Sequence, residues 1–106
     1  MIFQHTWEQV LAGTKTRTRR VAKGALPPWR VGRSYAVQPG RGKHAVGRIL
    51  VTAVRREALG RLSAGDARAE GYASRAEFET TWAEMHGTYD PAQLVDVVEF
   101  ELEQTG

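Results

Sequence analysis

No cysteine occurs among the 106 residues, which excludes disulfides, thiolate metal sites and a cysteine nucleophile together. No apolar run approaches the roughly 20 residues that a membrane span needs. The opening Met1-Ile2-Phe3-Gln4-His5 has neither the basic nor the apolar segment of a secretion leader, so a cytoplasmic location is expected. Repeats, low-complexity tracts and linkers are absent as well, and this length allows one domain, 1–106. Lysine is scarce, 3 residues against 12 arginines, and acids are scarcer still at the start, where Glu8 is the only one before Glu57.

What is present is an ordinary globular mixture, 42% hydrophobic and 25% charged, with its charge laid out unevenly. Residues 1–56 carry 12 basic residues and one acid, a net of +11. Residues 57–106 carry three and 11, a net of −8, which together make the chain's +3. One domain can mix these halves in space, but the asymmetry points to an anionic partner or substrate such as RNA or a nucleotide, and no membrane partner is expected. As for assembly, a monomer or weak homodimer is expected.

Turn and capping signals divide the chain into short elements. Thr6-Trp7-Glu8-Gln9 reads as a capping box opening a helix over about 7–12, and Gly13 stops it. Alternating threonines predict a strand from about Thr16 to Arg20. Pro27 and Pro28 mark a loop, and a short strand follows over Ser34–Gln38. Pro39-Gly40-Arg41-Gly42-Lys43 reads as a basic hairpin tip. His44–Arg55, apolar on both faces in its middle, reads as a central strand. Ser63 opens a helix to about Glu70, ended by Gly71. Ser74-Arg75-Ala76-Glu77 is a second capping box, before a helix whose Phe78, Trp82 and Met85 form a core-facing stripe. Leu94–Leu102 alternates as a half-buried final strand. The order describes a small α+β domain.

Polar chemistry is densest in Gly13-Thr14-Lys15-Thr16-Arg17-Thr18-Arg19-Arg20. In a strand, Thr16, Thr18 and Arg20 share one side while Arg17 and Arg19 take the other. A hydroxyl, a guanidinium and a nearby ammonium on one face suit an anion or a polarised carbonyl, although a solvated basic edge strand fits the charge pattern too. Trp29 and Tyr72 are candidate base-stacking residues or core aromatics. Arg41 and Lys43 at the tip are candidate phosphate contacts. His5, His44 and His86 lack metal-ligand spacing, so neither a metal nor another cofactor is expected.

Leu11-Ala12-Gly13-Thr14-Lys15-Thr16-Arg17-Thr18-Arg19-Arg20, followed by Val31-Gly32, Val46-Gly47-Arg48-Ile49, Ala67-Arg68-Ala69-Glu70-Gly71-Tyr72, Phe78 with Trp82, and Val98-Glu99-Phe100, resembles the ASCH family of the PUA-like superfamily. The resemblance implies a small, partly open mixed β-barrel of five to six strands flanked by short helices. Within the family, Thr18 where many members have an acid is similar to the small bacterial acetylcytidine amidohydrolases. That likeness implies Lys15 as proton acceptor, Thr18 as nucleophile and Glu70 as proton donor. Thr16, Arg17, Arg20, Trp29, Arg41, Lys43 and Tyr72 would then bind substrate or nucleic acid.

The chemistry is reasonable, because a threonine hydroxyl needs a neighbouring base. Lysine, with an ordinary pKa near 10.4, becomes one only when burial and like charges lower it. An alternative division makes Glu70 the base for a water, with Lys15 and Arg20 as electrophiles. Three functions compete on sequence: deacylation of an acylated cytidine-type nucleoside, non-catalytic RNA binding through the same cleft, and phosphodiester cleavage.

Overall fold

A computed structural model describes residues 1–103. Its elements run α1 (Trp7–Ala12), β1 (Arg17–Val21), β2 (Ser34–Val37), β3 (Gly47–Ala58), a 3-10 turn (Leu59–Arg61), α2 (Ala64–Ala69), α3 (Arg75–His86) and β4 (Leu94–Glu103). The four strands form one antiparallel sheet in the order β1-β4-β3-β2. Among the described residues no helix is long and apolar enough to cross a membrane.

The α+β class is as expected, but the described residues form four strands where five to six were expected, and the sheet is antiparallel where a mixed one was expected. The reason lies at the N-terminus. Ile2 pairs with Gln38 in an isolated parallel bridge, fixed by Gln38 N–H to Met1 O at 3.0 Å and Phe3 N–H to Gln38 O at 2.9 Å. On its other side the Arg20 guanidinium donates to Ile2 O at 2.6 Å. Residues 1–3 therefore occupy the gap between the edge strands β1 and β2, and a side chain rather than a ladder makes the closing contact.

β4 is buried at Val95, Asp96, Val97 and Val98 in succession, so both faces of this strand are covered. One core gathers Leu59, Leu62, Ala67, Phe78, Trp82, Val95 and Val97 beneath α2 and α3. A second gathers Phe3, Val10, Val37, Ile49 and Phe100 beneath α1. Phe78 and Trp82 keep the helical stripe, whereas Met85, one turn on, is 51% exposed.

β3 begins three residues later than its hydrophobicity suggests and runs three further, with a bulge between Val51 and Ala53. Its polar end is held by cross-strand ion pairs: Arg55 with Glu99 at 2.8 Å, and Arg56 with the wholly buried Asp96 at 2.7 Å. Such pairing extends a strand that apolar alternation alone would end. It also resolves the charge asymmetry. Arg17, Arg19, Arg55 and Arg56 are matched by Glu57, Glu70, Asp66, Asp96 and Glu99, so basic and acidic halves interdigitate.

Helix caps are partly as read. Ser63 and Asp66 form a full capping box, and the Ser74 hydroxyl accepts from Glu77 N–H. Thr6 is the N-cap of α1 but makes no capping hydrogen bond. Its side chain is buried instead, with its methyl facing Gly71.

Gly71 has φ +99°, and a Cβ there would stand 3.4 Å from Lys15 Cβ and from Thr6 Cγ2. The chain needs this left-handed residue to turn away from α2 directly beneath Lys15. Gly71→Ala should destabilise the fold by about 1–3 kcal/mol through backbone strain, read as a lower urea midpoint. Gly42→Ala, at φ +76° with open space around it, should carry the backbone cost without disturbing Lys15.

Candidate active site

β1 is an edge strand, and its outer edge is closed by the end of α2. Thr16 N–H donates to Ala69 O at 2.7 Å, and Arg19 N–H donates to the Glu70 carboxylate at 3.1 Å. The other Glu70 oxygen accepts from the Arg19 guanidinium at 3.0 Å. Glu70 is 2% exposed and the Arg19 side chain wholly buried. Edges left open invite pairing with other chains, and here a carboxylate takes one of the edge donors. Arg19 also stands 3.6 Å from Glu57 and 3.7 Å from Asp66.

Lys15 leaves the turn after α1 and enters the same region, 4% exposed. Its ammonium donates to the Glu70 main-chain carbonyl and lies 3.8 Å from the Glu70 carboxylate. The rings of Phe3 and Tyr72 flank it, with centroids at 5.9 and 5.8 Å. Burial pulls the lysine pKa down to about 8, with Arg20 and Arg19 adding to the fall against the opposing pull of Glu70. Tyr72, also desolvated and near Glu70, is pushed up to about 12. It packs edge-on against Phe78, with ring centroids 5.5 Å apart.

Beside this layer lies a cavity of about 600 Å³, lined in part by the same Phe3 that flanks Lys15, a size typical of small-molecule sites. Thr18 and Arg20 line it, as strand alternation anticipates, but so do Arg19 and Val21, together with Trp29 from the proline loop and Phe3 and Trp82 from the core. The Arg20 guanidinium lies 5.0 Å from the Phe3 ring centroid and donates to the Thr18 hydroxyl oxygen at 3.3 Å. Burial lowers the Arg20 pKa from its ordinary value. A cation donating to Oγ1 favours the deprotonated hydroxyl, which suits a nucleophile.

The residues singled out in the sequence thus separate. Thr18, Arg20 and Trp29 line the cavity, while Lys15 and Glu70 form a buried layer outside its lining. Tyr72 is outside the lining too and walls Lys15. Thr16 is exposed and gives its main chain to Ala69 and Phe100. Arg17 is engaged by Asp66 and Glu99. Arg41 and Lys43 lie exposed on the hairpin tip and do not line the cavity. His44 is exposed, but His5 and His86 line the cavity, and His86 stacks on Trp82 at 4.2 Å.

Nothing in the sequence near Arg19 shows a role beyond its charge, and alternation turns it away from Thr18 and Arg20, although it too borders the cavity. Only the partner at Glu70, 51 residues away, makes it the anchor of the buried layer. Phe3 carried no local signal at all.

No family model matches the chain, and no curated protein matches it. Solved structures do match it in three dimensions, two of them as follows. One is an ASCH domain from Lactobacillus crispatus JV V101, with TM-score 0.75 and 22% identity, covering 91% of this chain and 69% of that one. The other is a DUF984 protein from Enterococcus faecalis V583, with TM-score 0.67 and 20% identity, covering 94% of this chain and 68% of that one. The chain therefore carries the fold of the ASCH domain that its motifs resemble.

Removing the Glu70 carboxylate strands the buried Arg19 guanidinium. Glu70→Ala should cost about 3–5 kcal/mol, the range for breaking a buried pair from one side. Glu70→Gln, which keeps an acceptor for Arg19 N–H, should cost clearly less. Urea unfolding of both variants measures the difference.

Proposed function

We propose that this chain is an amidohydrolase that removes a small acyl group from the exocyclic amine of a cytosine-type nucleoside, with Thr18 as the nucleophile. The observation that carries this reading is the Thr18 hydroxyl, bonded by Arg20, in the wall of an aromatic-lined cavity. The Phe3 ring of that lining is also faced by Lys15, whose pKa has fallen to about 8.

Lys15 in its neutral form accepts the Thr18 hydroxyl proton, and Oγ1 attacks the acyl carbon. The carbonyl oxygen gains charge that the Arg20 guanidinium stabilises. The carbon–nitrogen bond then breaks and the departing amine takes the proton from Lys15. Water hydrolyses the threonine ester, releasing the carboxylic acid and restoring the hydroxyl. Glu70, enclosed and paired with Arg19, acts through Lys15 by holding its ammonium. This enclosure favours Thr18 over a Glu70-activated water. Extended RNA binding draws less support, because Arg17, Arg19, Arg55 and Arg56 are engaged by carboxylates of the second half.

Acetate release from 4-acetylcytidine is the direct test. Wild type should turn over while Thr18→Ala should not; retained turnover would remove Thr18 as nucleophile. If neither turns over, RNA affinity that falls steeply with salt would move the function to RNA binding.

Because the base must be neutral, kcat/KM should rise with pH and level off above about 8. Folding stability should follow a related course. The folded pKa lies below that of the unfolded chain, so stability should increase as pH rises from about 8 towards the ordinary lysine value. Lys15→Met should abolish turnover yet unfold at an equal or higher temperature in the neutral range, because Glu70 keeps Arg19 as partner and a buried charge is gone. Thermal unfolding checks this.

A further inference from the structure

The cavity has an electrostatic character that a neutral nucleoside does not need. The chain contains 12 acidic residues, yet none is among those lining the cavity. Basic residues line it from separate elements: Arg20 and the Glu70-paired Arg19 from β1, Lys23 from the segment after it, His5 from the turn before α1, and His86 from the last turn of α3. The cations of β1 differ in the same sense. Arg17 and Arg19 each face carboxylates, as does Lys15 just before the strand, whereas Arg20 has none as a salt-bridge partner among the described residues.

The hydrogen bonds of Arg20 go to two neutral oxygens, of Thr18 and Ile2, through Nε and Nη2. A guanidinium has five N–H donors, so most of this fork remains for an anion or oxyanion. The positive field also reaches His86, whose pKa is lowered by burial and by Arg20. Three residues of chain separate Arg20 from Lys23, at most about 10 Å. That span is comparable with the distance from the exocyclic amine of a cytosine across its ribose to a phosphate.

We infer that the substrate is a nucleotide rather than a nucleoside: Lys23, with His5, receives a ribose phosphomonoester at the cavity mouth while Arg20 and Thr18 address the acyl group. This assignment rests on the amidohydrolase reading for its chemistry, but the choice between nucleotide and nucleoside can be tested without turnover. Lys23 is exposed, so replacing it leaves the core intact. It is a specificity determinant, outside the proton transfers.

The experiment compares kcat/KM for 4-acetylcytidine with that for its 5′- and 3′-monophosphates, in wild type and Lys23→Gln. At least one monophosphate should be preferred about 10-fold or more in wild type, the worth of one charge-assisted hydrogen bond. That ratio should collapse towards one in Lys23→Gln. Equal kcat/KM for all three compounds in wild type would overturn the inference, as would a preference that survives the substitution. If no compound turns over, the amidohydrolase reading fails separately, and quenching of tryptophan fluorescence by cytidine and its two monophosphates decides instead. Tighter binding of a monophosphate, lost in Lys23→Gln, supports the phosphate site; indistinguishable binding of all three overturns it.

Discussion

The bond between the Glu70 carboxylate and the outer edge of β1 is the constraint on which the rest depends. A free edge strand with buried residues on both sides must satisfy its outward N–H groups or lose them to solvent or another chain. Glu70 takes the one at Arg19, and with its second oxygen takes the guanidinium of the same residue. One side chain thereby sets the height of α2 against the sheet, neutralises a buried cation and presents its own carbonyl to Lys15. The cavity inherits its shape from that arrangement, since Thr18, Arg19 and Arg20 of the strand so fixed all line it.

The same layer places a costly group where chemistry can use it. An ammonium with almost no solvent contact, flanked by Phe3 and Tyr72, is compensated only partly by Glu70, whose carboxylate is nearer to Arg19. Functional sites commonly keep such uncompensated groups at the expense of stability. Arg20 is a second instance, half-buried against Phe3 with neutral oxygens as partners. The two cations face the same Phe3 ring, and the threonine lies between them in sequence.

Much of this was legible before any coordinates. Strand alternation put Thr18 and Arg20 together, and capping signals at Ser63 and Ser74 located both later helices. The illegible parts share a cause, which is that they depend on partners distant in sequence. Thr6 has the right spacing to Gln9 for a capping box, but burial beside Gly71 claims its side chain. β3 outruns its hydrophobic stretch because Arg55 and Arg56 meet acids on β4. Met85 keeps helical register with Trp82 yet faces the cavity, because the helix is ending over an opening rather than over core. The N-terminal three residues, which bridge the sheet's two edges, are too short to show any periodicity.

The matching of a basic first half with an acidic second half has a consequence in time. Among the described residues β1 finds its only ladder partner in β4, with Arg17 opposite Glu99, so the earliest-made of the four strands waits for the latest. Until then the nascent segment is a polycation beside a polyanionic machine, with its counter-charges not yet synthesised. Acquisition of the native sheet is in that sense an exchange of counterions, from the surroundings to the chain's own carboxylates, completed only when β4 arrives. Long-range closure of this kind folds slowly for its size, and conditions that screen charge during synthesis bear on this protein's yield more than on its finished stability.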